Sequence, residues 1–330
     1  MAKHSTLNHL FSDIATAIRN KTGDTNPIPA SNFPETIREL SMSFPNGTEW
    51  SRSNIISGSF NCLHNANGIW VAGSNNGLHY SIDGKTWSRS NIISGNFECL
   101  HNANGIWVTG TFSGELRPGL YYSTDGMTWT QSNITSGWLQ VIYNANGIWV
   151  ASVNNVGVSP CFYCSADGMT WSQSNITSDI VNCLHNANGI WVAGSYGING
   201  SGFGLHYSID GKTWSRSNII SGNFECLHNA NGIWVAGAAN GSGGLHYSID
   251  GKTWSRSNIA FYAFYSLHNA NGIWVAGSNN GLHYSIDGKT WSRSNITSGR
   301  FHSLHNANGI WVAGSEREGL YYSTDGMNWT

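Results

Sequence analysis

Two glutamates come closest to a catalytic pair in this chain. Glu98 and Glu225 occupy equivalent positions of an internal repeat, and hydrolysis of a glycosidic bond requires two carboxyl groups flanking that bond. The two positions are three repeat units apart, so the sequence does not predict that the carboxyls meet. Glycan cleavage is therefore kept as an alternative hypothesis, and no catalytic residue is predicted.

Histidine recurs at one position of the repeat, which raises the hypothesis of a metal ring. Tyr143 takes that position in one unit. Tyrosine replaces histidine well as a half-buried aromatic hydrogen-bonding residue but poorly as a metal ligand in such a ring. We therefore predict packing between repeat units. The histidines are His64, His101, His185, His228, His268 and His305.

The cysteines do not form a metal-binding pattern either. Cys161 and Cys164 have C-x-x-C spacing, but no second cysteine or histidine pair accompanies them, and residues i and i+3 of a strand point to opposite faces. The other four share one repeat position, where three units carry Val141, Ser266 and Ser303, so a small buried side chain is expected there. No metal and no cofactor is predicted.

Two repeated blocks establish the architecture that must position these residues. Asn-Ala-Asn-Gly-Ile-Trp and Asp-Gly-x-x-Trp each occur seven times, in units of about 40 residues, the length of a propeller blade. The second unit contains four strand-like segments, 97–101, 106–110, 119–123 and 129–133, joined by Asn-Gly and Asp-Gly turns. We predict an all-β fold, a seven-bladed β-propeller of four-stranded antiparallel blades over residues 45–330, whose ring is closed by an extra strand at 50–55.

The N-terminal region has a different character. Residues 1–44 form a predicted helical attachment segment, with two helices within 5–41. Their apolar stripe is expected to contact a particle, a second copy or the propeller. No apolar run precedes a cleavage site and no stretch reaches the length of a membrane span, so we expect cytoplasmic synthesis without a signal peptide and no membrane insertion. The stripe consists of Leu7, Leu10, Phe11, Ile14 and Ile18.

Charge excludes one class of partner. Only 10% of the residues are charged and the formal net charge is -2, so the chain has no basic field to hold phosphate backbones. We therefore predict no nucleic-acid binding.

Sequence differences among the seven units concentrate in two connections, from strand D to the next strand A and from strand B to strand C. In an up-and-down blade these connections lie at the same end, so the variation predicts one binding face. Aromatic plates among amides and hydroxyls suit a neutral glycan or a protein surface. The candidate ligand-binding residues are Trp138, Gln140, Asn96, Glu98, Tyr196, Phe203, Asn223, Glu225, Tyr262, Tyr265, Arg300 and His302.

The segment Tyr80–Trp87, Tyr-Ser-Ile-Asp-Gly-Lys-Thr-Trp, resembles the Asp-box repeat of sialidase-like propellers, with one residue fewer between Asp and Gly. The resemblance implies a propeller in which the aspartate has a structural role. A sialidase also needs clustered arginines, a tyrosine nucleophile and an acidic partner. The arginines here recur at one position of the D strands, around the rim, so the resemblance supports the fold rather than the activity. These arginines are Arg52, Arg89, Arg216, Arg256 and Arg293.

A second resemblance lies near the N-terminus. Leu10–Gly23, followed by Ile28–Ala30 and Phe33–Ile37, is similar to a leader segment of phage and prophage tail-associated proteins of Gram-positive bacteria. It implies attachment to a tail or similar particle, a virion location, and an outward-facing propeller. The sequence thus favours a non-catalytic receptor-binding or lectin-like adhesin for a cell-surface glycan or protein. The alternatives are a glycan-cleaving enzyme and a structural, protein-binding propeller.

Overall fold

A computed structural model describes residues 52–55, 58–111, 118–154, 161–176, 180–196, 204–240 and 243–330. The chain divides into a unit ending at Ser53 and a second unit from Asn54 to Thr330. The predicted helices within 5–41, the attachment segment 1–44 and Phe203 lie outside the described residues. No helix in the described ranges has the length and apolar character needed to cross a bilayer.

The described residues form seven antiparallel sheets, which we call blades one to seven. Blades one to six have strands A to D in chain order, and blade seven has strands A to C. The A strands are Phe60–Ala66 (β1), Phe97–Ala103 (β5), Trp138–Ala145 (β9), Ile180–Ala187 (β13), Asn223–Ala230 (β17), Phe264–Ala270 (β21) and Phe301–Ala307 (β25). The B strands are Ile69–Ser74 (β2), Ile106–Thr111 (β6), Ile148–Asn154 (β10), Ile190–Tyr196 (β14), Ile233–Asn240 (β18), Ile273–Ser278 (β22) and Ile310–Ser315 (β26). The C strands are Gly77–Ser81 (β3), Leu120–Ser123 (β7), Cys161–Ser165 (β11), Leu205–Ser208 (β15), Gly244–Ser248 (β19), Gly281–Ser285 (β23) and Gly319–Ser323 (β27). The D strands are Ser88–Arg89 (β4), Thr130–Gln131 (β8), Ser172–Gln173 (β12), Ser215–Arg216 (β16), Ser255–Arg256 (β20) and Ser292–Arg293 (β24).

The D strands are shorter than predicted because their last residues bind elsewhere. In blade two only Thr130–Gln131 pairs as a strand, whereas the predicted segment ran from 129 to 133. Asn133 instead uses its side-chain amide to bond the backbone of Trp171 in the next blade, accepting from its N–H at 2.8 Å and donating to its carbonyl at 2.8 Å. The asparagine therefore fastens one blade to the next.

The turns at one end of the blades have the chemistry that their sequences require. Asn104 and Gly105 adopt φ values of 52° and 80°, the left-handed pair of a type I′ hairpin turn. In the C-to-D turn, Asp125 Oδ1 accepts the N–H groups of Met127 and Thr128, each at 2.8 Å. The aspartate thus stabilises its own turn, which is the structural role expected of it.

The core consists of apolar layers between successive blades. At one junction Leu282 and Phe301 are 1% and 0% exposed and pack in one cluster with Trp311. Burying such a side chain contributes about 1.5 to 3 kcal/mol before the entropy of ordering is subtracted. Repetition of this junction, more than any single blade, stabilises the array.

The histidines pack between A strands, as predicted. The ring centroids of His101 and Tyr143 are 5.6 Å apart and stacked, and His101 meets Trp149 edge to face at 5.6 Å. Burial, aided by the neighbouring His64, lowers the pKa of His101 to about 4. Among the described residues, no group of three or more His, Cys, Asp or Glu side chains is arranged to hold a metal ion.

Candidate ligand-binding face

The two variable connections of each blade lie together at one end of the array. The N–H of Gly119, before strand C, donates to the carbonyl of Gly137, before the next strand A, at 3.1 Å. The N–H of Gly281 donates likewise to Gly299 at 2.8 Å. We call this end the variable face, and the end with the Asn-Gly and Asp-Gly turns the constant face. The loops that differ in sequence therefore share one surface.

A β-bulge interrupts every A strand near the variable face. In blade two Phe97 pairs with Thr111 and Cys99 pairs with Gly110, so Glu98 has no partner of its own. A bulge re-aims the extra side chain and is frequent beside binding sites. Here it falls in all seven blades on one of the variable positions. The bulge residues are Asn61, Glu98, Gln140, Asn182, Glu225, Tyr265 and His302.

Bulge residues of adjacent blades contact one another through amides and carboxylates. Asn61 Nδ2 donates to Asn96 Oδ1 at 2.7 Å, and Asn96 Nδ2 donates to Glu98 Oε1 at 3.3 Å. Asn182 Nδ2 donates to Glu225 Oε1 at 3.2 Å. Hydrogen bonds thus join the bulge positions of blades one and two and those of blades four and five, and we call the seven bulge positions, one on each A strand, the polar band.

An aromatic and ionic cluster occupies the same band in blades six and seven. The rings of Tyr265 and His302 lie 4.5 Å apart, and the Arg300 guanidinium lies 5.4 Å from the Tyr265 ring centroid. Arg300 also forms an ion pair of 3.3 Å with Glu316, whose carboxylate lies 3.8 Å from His302 Nε2. Tyr265 therefore contacts both the His302 ring and the Arg300 guanidinium.

Glu225 is a bulge residue whose carboxyl pKa is changed by its surroundings. Burial raises the pKa of its carboxyl, while the hydrogen bond from Asn182 and the nearby His302 favour the charged form. Glu98 hydrogen-bonds Asn96 in blade two, whereas Glu225 lies in blade five. No described contact joins the two carboxyls.

Large aromatic side chains accompany this band. Trp138 begins strand β9, paired with Asn154, and its side chain is half-buried. Tyr262 lies 5.0 Å from His283 by ring centroids. Phe261, which the candidate set omitted, is 93% exposed in the connection before β21. An aromatic ring so exposed in a variable connection is available to stack on a ligand.

The D-strand arginines lie at the rim, as predicted, and they also brace the variable connections. Arg293 Nη2 donates to the carbonyls of Asn280 and Thr297 at 3.1 and 2.9 Å, which ties the B-to-C connection to the D-to-A connection. Arg256 Nη2 likewise donates to the carbonyls of Gly243 and Ala260, both at 2.9 Å. Fixed loops lower the ordering entropy that binding costs.

A cavity of about 260 Å³ opens on the variable face at blade seven. It is mostly polar, and Arg300 and Glu316 form one wall. Its size suits a single sugar ring or a short side chain rather than a large cofactor. The lining residues are Asn279, Gly299, Arg300, Ser315, Glu316, Arg317 and Glu318.

Most of the candidate ligand-binding residues lie on the variable face, but they are spread over several blades and do not line one pocket. Asn223 begins β17 beside the Glu225 bulge, and Tyr196 ends β14 with its backbone opposite Ile180. The sequence did not predict the bulges, although the repeated order Phe-x-Cys-Leu, which breaks a period of two, was their signal.

Comparison by sequence matches the chain to no known protein family and to no curated protein. Comparison by structure finds many propellers. The computationally designed Ika8 protein superposes with a TM-score of 0.64 at 15% identity, covering 83% of this chain and 87% of that one. YCF48 from Cyanidioschyzon merolae superposes with a TM-score of 0.53 at 12% identity, covering 82% of this chain and 97% of that one. BamB from Moraxella catarrhalis superposes with a TM-score of 0.55 at 12% identity, covering 80% of this chain and 79% of that one. At these identities the likeness concerns the fold alone, and the described unit is a β-propeller of four-stranded antiparallel blades.

Proposed function

We propose that this protein is a non-catalytic binding protein whose variable face recognises a cell-surface glycan or a surface protein. The observation that carries the proposal is the bulge in each A strand. It places seven side chains of five residue types, from Asn61 to His302, near the one face whose loops also differ. The constant face repeats the same two turns in every blade. Divergence concentrated on one face is what selection for a ligand produces.

The chemistry of the variable face favours sugars or a polar protein surface. Side-chain amides at Asn61, Asn96 and Asn182 donate and accept at once, which matches the hydroxyls of a saccharide. Phe261 and Trp138 supply apolar plates for the ring face of a sugar or a side chain. A structure of YCF48 bound to D1 peptide, with a TM-score of 0.54, supports the protein alternative at the level of fold.

The likeness of Leu10–Gly23 to phage tail leader segments supports a place for this binding protein on a viral particle. The propeller would then be the receptor-binding part, carried outward by the N-terminal segment. Association of the full chain with tail particles, and its release when Phe11 and Ile14 are replaced by serine, tests this part separately from ligand binding.

The main experiment presents labelled full-length protein to a glycan array and to whole Gram-positive cells. We expect saturable binding with the glycan left intact, measured by chromatography of the soluble fraction after incubation. Release of shortened oligosaccharides would show that the protein is an enzyme. Absence of binding to every glycan and every cell surface would contradict the proposal.

A further inference from the structure

Blade three departs from the other six blades at one position of strand C. Cys164 pairs with Val150 of strand B, whereas in every other blade the residue paired with the equivalent valine is a tyrosine. Two residues further on, Ala166 replaces an isoleucine or a threonine. Blade three therefore lacks the volume of an aromatic ring and of a branched side chain at neighbouring positions. The six tyrosines are Tyr80, Tyr122, Tyr207, Tyr247, Tyr284 and Tyr322.

A cavity of about 360 Å³ opens at this place on the constant face, lined by residues of blades three and four. Cys164 is 9% exposed and lies on the buried side of the cavity, whereas Ala166 and Lys212 are exposed. Burial raises the pKa of the Cys164 thiol, so the thiol is neutral at neutral pH and offers a polarisable apolar surface. The lining includes Ile148, Cys164, Ala166, Asp167, Asp210 and Lys212.

The next two blades show which group fits the equivalent place. The Nζ of Lys252 in blade five lies over the ring of Tyr207 in blade four, 5.7 Å from its centroid. The Nζ of Lys289 in blade six lies in the same way over Tyr247 of blade five, at 5.8 Å. The equivalent lysine of blade four is Lys212, which lines the cavity where blade three has cysteine in place of tyrosine. The cation of an aromatic contact is thus in position beside a space that a ring fills elsewhere.

The cavity has the size and the charge for a neutral ring. An apolar cavity of about 150 Å³ binds benzene, so this larger one accommodates a ring together with the atoms that carry it. Asp167 and Asp210 add two carboxylates, whose Oδ1 atoms accept the N–H groups of Met169 and Lys212 in their own turns, each at 2.8 Å. Negative charge therefore predominates along the lining, which disfavours an anionic ring substituent.

We propose that the cavity at Cys164 is a second ligand site, which binds one neutral aromatic ring of the phenol class in the place that a tyrosine of the chain fills in the other blades. The ring packs on the Cys164 thiol and Ile148, with the Lys212 ammonium over its face. The site lies at the opposite end of the blades from the variable face, so it goes beyond the proposed function and is tested without the receptor. The ring belongs either to a free phenol or to a tyrosine residue of a partner protein.

Titration of the full-length protein with p-cresol, followed by NMR, tests the site. We expect saturable binding with a dissociation constant on the order of 1 mM, as suits so small a ligand. Cys164→Tyr restores the residue of the other blades, fills the cavity and should abolish binding. Cys183→Ser is the matched control, because blades six and seven carry serine at that position, and it should bind p-cresol like the parent. Absence of binding to the parent, or equal binding by a natively folded Cys164→Tyr variant, would overturn the proposal.

Two lysine variants on the surface give an independent measurement that does not alter the core. Lys212→Gln should weaken p-cresol binding roughly two- to fivefold, because it removes the cation over the ring. Lys252→Gln should leave the affinity unchanged, because Lys252 covers Tyr207 of the chain itself. Equal affinities of the parent and both variants would contradict the placement of the ring under Lys212.

N-acetyltyrosinamide distinguishes the two sources of the ring. If it binds at least as tightly as p-cresol and competes with it, the site takes a tyrosine residue of a partner protein. If p-cresol binds and N-acetyltyrosinamide does not, the site takes a free phenol. Both results require that Cys164→Tyr abolish the binding, and failure of both probes to bind would overturn the proposal.

Discussion

At the residue scale, burial of Glu225 disfavours the ionised form of its carboxyl. Burial raises the pKa of its carboxyl, so the native state binds a proton more readily than the unfolded chain does. Stability associated with this group is therefore greatest below its ordinary pKa and is lost as pH rises through the native value. At neutral pH the ionised side chain costs stability, which is characteristic of residues retained for a ligand.

Replacing Glu225 with glutamine should therefore stabilise the protein at pH 7. Glutamine keeps an oxygen to accept the Asn182 amide but carries no charge. We expect a higher melting temperature at pH 7 and a difference that vanishes below about pH 4, measured by calorimetry across that range. The exposed Glu98, changed to glutamine, is the control and should shift the melting temperature little. A melting temperature lowered by Glu225→Gln at pH 7 would refute the argument.

Substitution of Trp138 tests ligand binding separately from the stability of the fold. Truncating an aromatic residue at a binding hot spot costs about 2 kcal/mol or more, so Trp138→Ala should weaken ligand binding at least roughly 30-fold. Its half-buried position predicts only a modest loss of stability. By contrast, Trp149 is 1% exposed, and Trp149→Ala should cost about 3 to 5 kcal/mol of stability. Titration calorimetry and thermal melting of both variants check these values. Native folding with unchanged affinity would remove Trp138 from the site.

At the scale of elements, the A strands combine a polar band with a stack of histidines. Burial lowers the pKa of His228 to about 4, as it does for His101, with neighbouring histidines adding to the effect. Histidines of the unfolded chain bind protons near their ordinary pKa of about 6.5, whereas these histidines of the native state stay neutral until the pH is much lower. Stability should fall as pH decreases from about 6.5 to 4.

His101→Tyr tests this pH dependence with a residue that the array already uses at Tyr143. Tyrosine keeps the aromatic contact but does not titrate in this range. We expect the variant to fold and to lose less stability than the parent between pH 6.5 and 4, measured by denaturant unfolding at each pH. An equal loss in both proteins would show that the A-strand histidines do not control acid stability.

The sequence predicts these elements well where the chemistry is local. Asn104-Gly105 specifies its hairpin turn through φ, and Asp125 specifies the next turn through its own N–H groups. The bulge at Glu98 was not predicted, because it depends on how strand A pairs with strand B rather than on the residue itself. The Asn133 fastening was missed for a similar reason, since its partner Trp171 lies 38 residues away.

At the scale of the whole molecule, seven similar blades give two faces with different properties. The repeat count predicted the fold, and comparison of repeat units within the chain predicted which face varies. Neither could show that Arg293 braces two loops or that Phe261 stands exposed. These features arise from contacts between segments that are distant in sequence.

The central claim is that the variable face, and not the constant face, binds the ligand. Phe261 on the variable face is 93% exposed and Ile249 on the constant face is 73% exposed, so alanine at either site removes a large solvated apolar side chain. The decisive measurement is the affinity of Phe261→Ala and Ile249→Ala for the glycan or cell surface that the full-length protein binds. We predict a loss of roughly 30-fold for Phe261→Ala and a change within about twofold for Ile249→Ala. Weakened binding by Ile249→Ala, with Phe261→Ala unaffected, would place the site on the opposite face and contradict the claim.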